Sequence, residues 1–291
     1  MQLVCPIPRT YQHSLLSCNG LLRSDIVPML DYPADGGRLS VNDKAIPLEE
    51  VLETEILMRD RGIIDKIVST MNLGSLYTGG TPDQLALVDL ADGGRQYSYA
   101  DLEDLITRVD VSVKEGERVG LIGTNSAVFI AVFSAIMRQG GVAVPINTKF
   151  PVETVQHVVT DTDLTSIWAD DDLMHRIPEG IAVREFAVDG TGDGGETIEP
   201  ASGQPGLVLY TSGSTGTPKG VLLSHDSQWA MVSRMKTMLE GATGIVAAPL
   251  YHMNGLLFLW SLLSGDGTVV LMSRFDARAY LQAIHDHTRS M

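Results

Sequence analysis

The chain has 291 residues, 44% of them hydrophobic and 20% charged, and its 36 acidic against 21 basic side chains give a formal net charge of −15. These values describe a globular chain long enough for roughly two domains, and they exclude a nucleic-acid binder, which needs a basic patch. No basic segment leads into an apolar N-terminal stretch, no apolar run approaches the ~18 residues of a membrane span, and Cys5 and Cys18 form neither a disulfide framework nor a metal spacing. A soluble protein of the reducing cytoplasm is the expectation.

In chain order, the first forty residues hold prolines, Asp35-Gly36-Gly37 and little periodicity, and are expected to be partly disordered. Leu48, Val51, Leu52, Ile56, Ile63, Ile64, Ile67 and Val68 then recur at roughly helical spacing, which predicts one or two helices over 47–69. From Leu85 onward, short β-type runs alternate with helical patterns. The runs are Leu85–Val88, Arg118–Ile122, Val142–Pro145, Thr165–Trp168, Leu207–Tyr210, Ile245–Ala248 and Thr268–Leu271. Such alternation predicts an α/β architecture with helices layered on largely parallel strands. Between the runs, Ser126–Arg138 is apolar nearly all round, as a helix buried between layers is. Ser98 and Asp101 have the capping-box spacing, and Pro151 suits a first helical turn. Leu256–Leu263 and Ala277–His287 are further helical patterns.

The densest chemistry lies at Tyr210-Thr-Ser-Gly-Ser-Thr-Gly-Thr-Pro-Lys-Gly-Val221, between the apolar runs Leu207–Leu209 and Val221–Leu223. Gly213, Gly216 and Gly220 let backbone N–H groups approach an anion closely. Thr211, Ser212, Ser214, Thr215 and Thr217 add rotatable hydroxyl donors, and Lys219 adds a compact cation. The negative net charge does not oppose this reading. Exposed charges are screened beyond ~8 Å, whereas one cation ~4 Å from a phosphate oxygen contributes about 4 kcal/mol at an effective dielectric near 20. A Walker loop needs glycine directly before Lys-Ser/Thr, where this chain has Pro218. The kinase spacing of glycines is also absent.

What the stretch resembles, nearly residue for residue, is the phosphate-binding signature of the AMP-forming adenylate synthetases: acyl-CoA synthetases, peptide-synthetase adenylation domains and luciferases. The resemblance extends from about Asn72 to the end, through Asn72-Leu-Gly74, Gln96-Tyr-Ser-Tyr-Ala-Asp-Leu102, Gly116-Glu-Arg-Val-Gly-Leu-Ile122 and Gly140-Gly-Val-Ala-Val-Pro-Ile-Asn147. It departs where the helix after Asp101 and the segment between Gly74 and Pro82 look trimmed. Pro249-Leu-Tyr-His-Met-Asn-Gly-Leu256 is similar to the family's next landmark and favours acyl-CoA synthetases over peptide-synthetase domains.

The resemblance implies ATP-dependent activation of a carboxylic acid as acyl-AMP and transfer to a thiol such as CoA, with ATP and Mg2+ as cofactors. It implies a nucleotide-binding set of Thr211, Ser212, Gly213, Ser214, Thr215, Gly216, Thr217, Lys219 and Gly220, with Thr211 also touching the metal. It gives Lys219 and His252 the catalytic roles, His252 bordering the acid's carboxylate. No Gly-Tyr-Gly-x-Thr-Glu stretch, no Thr-Gly-Asp after the loop and no small C-terminal domain follow, so the family's N-terminal portion is expected. Its parts are an appendage over 1–70 ahead of Met71, a first α/β subdomain over 71–220, and an incomplete second over 221–291. Little or no ATP–pyrophosphate exchange is expected of the chain alone. Apolar surface near Leu256–Leu263 is expected to lie open to aggregation or to a partner, such as a missing C-terminal half. The alternatives are a non-catalytic nucleotide- or partner-binding module and a peptide-synthetase adenylation domain.

Other candidates read as structural. Gly190-Thr-Gly-Asp-Gly-Gly195 copies a dinucleotide fingerprint, but no apolar helix follows it. Its Thr191-Gly192-Asp193 copies the family's ribose-binding tripeptide on the wrong side of the loop. Asp170–Asp172 fits a loop or helix start better than a metal cluster, because consecutive side chains diverge. His285 and His287 are expected to face solvent, and His225, after Ser224, to act in local capping.

Overall fold

A computed structural model describes residues 40–41, 44–45, 71–77, 80–188, 196–211 and 217–287. The chain forms two compact units, Met1–Ser69 and Thr70–Met291. In the first, β1 (Ser40–Val41) pairs antiparallel with β2 (Lys44–Ala45). The expected helices over 47–69, the residues ahead of Ser40 and the Gly190–Gly195 segment lie outside the described residues.

The second unit holds two sheets and six α-helices among its described residues. Its strands are β3 (Leu85–Asp89), β4 (Arg95–Ser98), β5 (Arg118–Ile122), β6 (Val142–Pro145), β7 (Ser166–Ala169), β8 (Ala182–Glu185), β9 (Pro205–Thr211), β10 (Lys219–Ser224), β11 (Thr243–Val246) and β12 (Thr268–Leu271). The helices are α1 (Tyr99–Thr107), α2 (Ala127–Arg138), α3 (Val152–Asp161), α4 (His225–Met238), α5 (Met253–Ser264) and α6 (Ala277–His287). One sheet has the order β10-β9-β6-β5-β7-β8 and the other β11-β12-β3-β4. All neighbours are parallel except the edge strands β10 and β4, which run antiparallel to β9 and β3.

The side-chain alternation of β-strands builds the layers. Leu207 and Leu209 of β9, with Val269 and Leu271 of β12, face one core that also takes in α1, α2, α4 and α5. Val208 and Tyr210 turn to the opposite face of the six-stranded sheet, against Val155, Val158 and Val159 of α3. Val88 and Val270 turn to the far face of the four-stranded sheet, against Ala283 of α6. The sheets thus share a central helical layer, and α3 and α6 close the two outer faces.

Helix α2 explains why the central layer holds. Ser126 caps it by accepting the amide of Phe129, and Phe129, Ile130, Phe133, Ile136 and Met137 are all buried. At roughly 2 kcal/mol for each large apolar side chain, burying these five contributes on the order of 10 kcal/mol as an upper estimate. At its end, buried Arg138 donates to both oxygens of Glu103, at 2.7 and 2.6 Å, and to the Gly74 carbonyl at 2.7 Å. Helix α1 starts with the expected capping box, in which Ser98 Oγ accepts from the Asp101 amide and Asp101 Oδ2 accepts from the Ser98 amide. Those bonds to the charged form hold the Asp101 carboxyl below its ordinary range.

Several expectations are corrected. The two sheets interleave along the chain: β3 pairs with β4 on one side and on the other with β12 from the chain's far end, while β10 stays with β9. Pro151 is the residue before α3 rather than its first, with an extended ψ of 163°. Strand β11 ends at Val246, not Ala248, because Pro249 has no N–H to give and the Ala248 carbonyl is taken by the Asn125 side chain. Leu256, Leu259, Trp260, Leu262 and Leu263 are buried within the shared core and Leu257 and Phe258 are half-buried against it, so α5 presents little open apolar surface there. Large exposed apolar side chains lie instead at Val221 and Leu222 on β10, Met238, Phe275 and Leu281.

Candidate functional site

In open parallel sheets ligands bind beyond the carboxyl ends of the strands, and three connections meet there. The first is the β9–β10 hairpin. Thr211 ends β9, Lys219 begins β10, and the two are Cα partners, the last pair before the connection opens. Thr211, Thr217, Lys219 and Gly220 are all exposed. Ser212, Gly213, Ser214, Thr215 and Gly216 lie outside the described residues. Gly220 is cross-strand from Tyr210, whose ring stands so close that a Cβ on Gly220 would sit 3.1 Å from it.

The second connection is the turn from β6 into α3. Ala143 pairs with Leu207, so β6 and β9 run side by side toward the same edge. Asn147 Oδ1 accepts the Lys149 amide at 2.9 Å, which shapes the turn and leaves the Lys149 side chain in solvent.

The third is Ala248–His252, between β11 and α5. His252 is the residue before α5; its carbonyl accepts the amides of Gly255 and Leu256, and its ring is exposed and edge-on to Tyr251 at 4.7 Å. Partial burial, and then the Lys149 ammonium, push the His252 imidazole below its ordinary pKa. It is therefore mainly neutral at pH 7, and one ring nitrogen donates while the other accepts. Gly255 is required here because a Cβ would meet the Pro249 carbonyl at 2.5 Å.

One buried side chain joins the two sheets at this edge. Asn125, which follows β5, donates from Nδ2 to the carbonyls of Ala248 and Met272, both at 3.0 Å, and its Oδ1 accepts the Leu250 amide at 2.9 Å. The turn carrying His252 is thereby tied to the six-stranded sheet. Neither Asn125 nor Lys149 stands out in the sequence; the one available signal was their position just after strands β5 and β6.

Other sequence candidates fall elsewhere. His225 is not a cap: Ser224 takes that role, and the His225 ring is buried, with Nδ1 accepting the Leu73 amide at 3.1 Å. Burial, opposed by Asp226, pushes its imidazole down to about 4. Asp170 precedes the 3-10 helix Asp171–Arg176 and accepts the amide and hydroxyl of Thr124. His285 is exposed and His287 half-buried. Among the described residues no group of three or more His, Cys, Asp or Glu could hold a metal ion. A lone hydroxyl such as Thr211 fits Mg2+ only if the ion arrives on a triphosphate, since magnesium commonly keeps its waters and binds through substrate phosphates.

Two α/β sheets sharing a helical layer, with a hydroxyl- and glycine-rich hairpin at the carboxyl edge, define the architecture of the N-terminal domain of acyl-adenylate synthetases. The chain belongs to the AMP-binding enzyme family, whose model matches residues 77–290. Feruloyl-CoA synthase from Amycolatopsis sp is 30% identical over 207 residues, 66% of this chain and 42% of that protein. Syringomycin synthase SyrB1 from Pseudomonas syringae pv. syringae is 30% identical over 203 residues, 63% of this chain and 32% of that protein. The structure of ATP-bound MatB from Rhodopseudomonas palustris matches with a TM-score of 0.62 at 26% identity, over 74% of this chain and 47% of that one. The chain thus spans less than half the length of these relatives. No helix among the described residues is long and apolar enough to cross a membrane.

Proposed function

We propose that the chain supplies the phosphate-holding and acid-facing residues of an acid–CoA ligase that works through an acyl-adenylate. The observation carrying this reading is the Thr211–Lys219 pair at the mouth of the hairpin, with the His252 turn of the other sheet tied by Asn125 to the carboxyl edge of the hairpin's own sheet. In the first half-reaction a substrate carboxylate oxygen attacks the α-phosphorus of ATP, the bond to the α–β bridging oxygen breaks, and pyrophosphate leaves. In the second, a thiol attacks the acyl carbon and AMP leaves. Lys219, with the hydroxyl and amide donors of Ser212–Thr217, holds the β- and γ-phosphates and stabilises the charge that accumulates on pyrophosphate. Thr211 would hold a magnesium ion arriving with the triphosphate, and that ion would supply charge screening to the same oxygens. His252, neutral at pH 7, donates one hydrogen bond to the carboxylate and keeps it in line without protonating it.

Feruloyl-CoA synthase and the malonate–CoA ligase of Arabidopsis thaliana, 29% identical over 166 residues, point to CoA as the thiol. The similarity to syringomycin synthase supports a second reading in which the acceptor is a carrier-bound thiol. Calorimetry with ATP and magnesium on the 291-residue chain tests the phosphate role. Lys219→Ala is expected to weaken binding ten- to a hundredfold, and unchanged affinity overturns the assignment. Exchange of labelled pyrophosphate into ATP, run over a panel of carboxylic acids, is expected to be slight with this chain alone and to rise when the missing C-terminal part is supplied in trans; no rise with any acid overturns the acid-activating reading.

A further inference from the structure

We propose that helix α3 supplies positioning residues for the phosphate hairpin: His157 and Asp161, one turn apart, grip its two strands and so set where Thr211 and Lys219 stand. The inference rests on the nucleotide role proposed above for Lys219.

The two grips fall on neighbouring points of the hairpin base. Tyr210 OH donates to Asp161 Oδ2 at 2.6 Å, and Tyr210 immediately precedes Thr211. His157 Nε2 lies 3.1 Å from the Pro218 carbonyl, and Pro218 immediately precedes Lys219. A carbonyl only accepts, so His157 Nε2 carries a hydrogen there. His157 and Asp161 are i and i+4 on α3, hence on one face of the helix. The Tyr210 ring completes the clasp, since it meets the His157 ring edge-on at 6.3 Å and passes under Gly220. Burial and Asp161 both raise the Tyr210 pKa, which keeps the phenol a donor.

The ladder alone does not fix this end of the hairpin. The Lys219–Thr211 pair is its last rung, β10 is an edge strand, and four of its six residues are exposed. Beyond a last rung on an edge, backbone pairing frays readily. A carboxylate beside a phosphate site also opposes anion binding by charge alone. Asp161 is accounted for if its work is to hold Tyr210, and on that account an uncharged acceptor at 161 does the same work.

Amide hydrogen exchange and MgATP calorimetry on the full chain test this, with Tyr210→Phe, Asp161→Ala, Asp161→Asn and His157→Ala. Without nucleotide, Tyr210→Phe, Asp161→Ala and His157→Ala are expected to speed exchange of the amides that bond β10 to β9 at the last two rungs, Lys219–Thr211 and Gly220–Tyr210, at least tenfold, with β5 and β6 unchanged. In calorimetry the same three raise the MgATP Kd five- to twentyfold, and Asp161→Asn recovers most of the loss seen with Asp161→Ala. Unchanged exchange at the hairpin overturns the proposal, as does acceleration spread equally over the whole sheet. Tyr210→Phe, the smallest change, decides the question if an alanine variant does not fold. If the native chain binds no MgATP, the nucleotide reading fails by itself while the exchange data still decide the clasp.

Discussion

Replacing Asn125 with alanine puts the junction of the two sheets under direct test. Three hydrogen bonds are lost at once: two donated to Ala248 and Met272, and one accepted from Leu250. Each contributes about 1 kcal/mol net, and a buried group left without a partner costs a further 1–3 kcal/mol. Leu250 and Met272 are almost wholly buried, so water does not readily replace what the side chain gave them. The expected loss is at least about 4 kcal/mol, about three from the bonds and the rest from a group left unpaired, which for a domain of this size lowers Tm by at least about 8 °C. Urea unfolding followed by tryptophan fluorescence measures it, because Trp260 lies in the shared core. Asn125→Asp sharpens the argument. It keeps the shape and the acceptor for Leu250 but points an oxygen at two carbonyls, so it is expected to be at least as damaging as alanine. A cost below about 1 kcal/mol for Asn125→Ala, or an aspartate that behaves like the native residue, would show that the sheets are joined by packing alone.

The remaining predictions concern single residues. His225 has a folded pKa of about 4 against an ordinary 6.5, so the unfolded chain binds the extra proton first. Stability is therefore full above pH 6.5, falls by about 3 kcal/mol between pH 6.5 and 4, and levels off below; Asp226, whose carboxyl is held low, adds its own loss only under that window. His225→Gln flattens the slope in equilibrium unfolding run at several pH values, and an unchanged slope refutes the assignment. Gly255→Ala drives a Cβ into the Pro249 carbonyl and is expected to cost 1–3 kcal/mol, as overpacked sites do, measurable as a lowered Tm. Glu103→Ala leaves Arg138 buried without its carboxylate; because Glu103 is 38% exposed, about 2 kcal/mol is expected rather than the 3–5 of a fully buried pair. The double variant with Arg138→Met recovers part of that loss.

The strands most legible in the sequence were those covered on both faces. Arg118–Ile122, Val142–Pro145 and Thr268–Leu271 are mainly apolar, and the strands there have the expected bounds. Helices announced by their own local chemistry, such as the Ser98–Asp101 box and the apolar stretch after Ser126, were equally plain. Strands β4 and β8 were missed because Arg95-Gln-Tyr-Ser98 and Ala182-Val-Arg-Glu185 are largely polar edge segments whose pairing comes from a neighbour rather than from their own pattern. At the candidate site, hydroxyls and glycines marked the hairpin by composition. What surrounds it depends on pairings between distant residues: Asn125 with Ala248, Asn125 with Met272, Tyr210 with Asp161. His225 illustrates the same limit, since its partner Leu73 lies 152 residues away and nothing beside it in the chain distinguishes a cap from a buried acceptor.

The interleaving of the sheets sets a timetable for the nascent chain. Leu87 of β3 waits for Val269 of β12 as its parallel partner, and at the usual pace of synthesis, about 5–20 residues each second, that partner emerges roughly 10–40 seconds later. Through this interval an apolar strand has β4 on one flank and nothing on the other, a template for pairing with foreign chains. Protection of that open flank until β12 arrives is therefore a requirement of the topology and not of any one contact in the finished molecule.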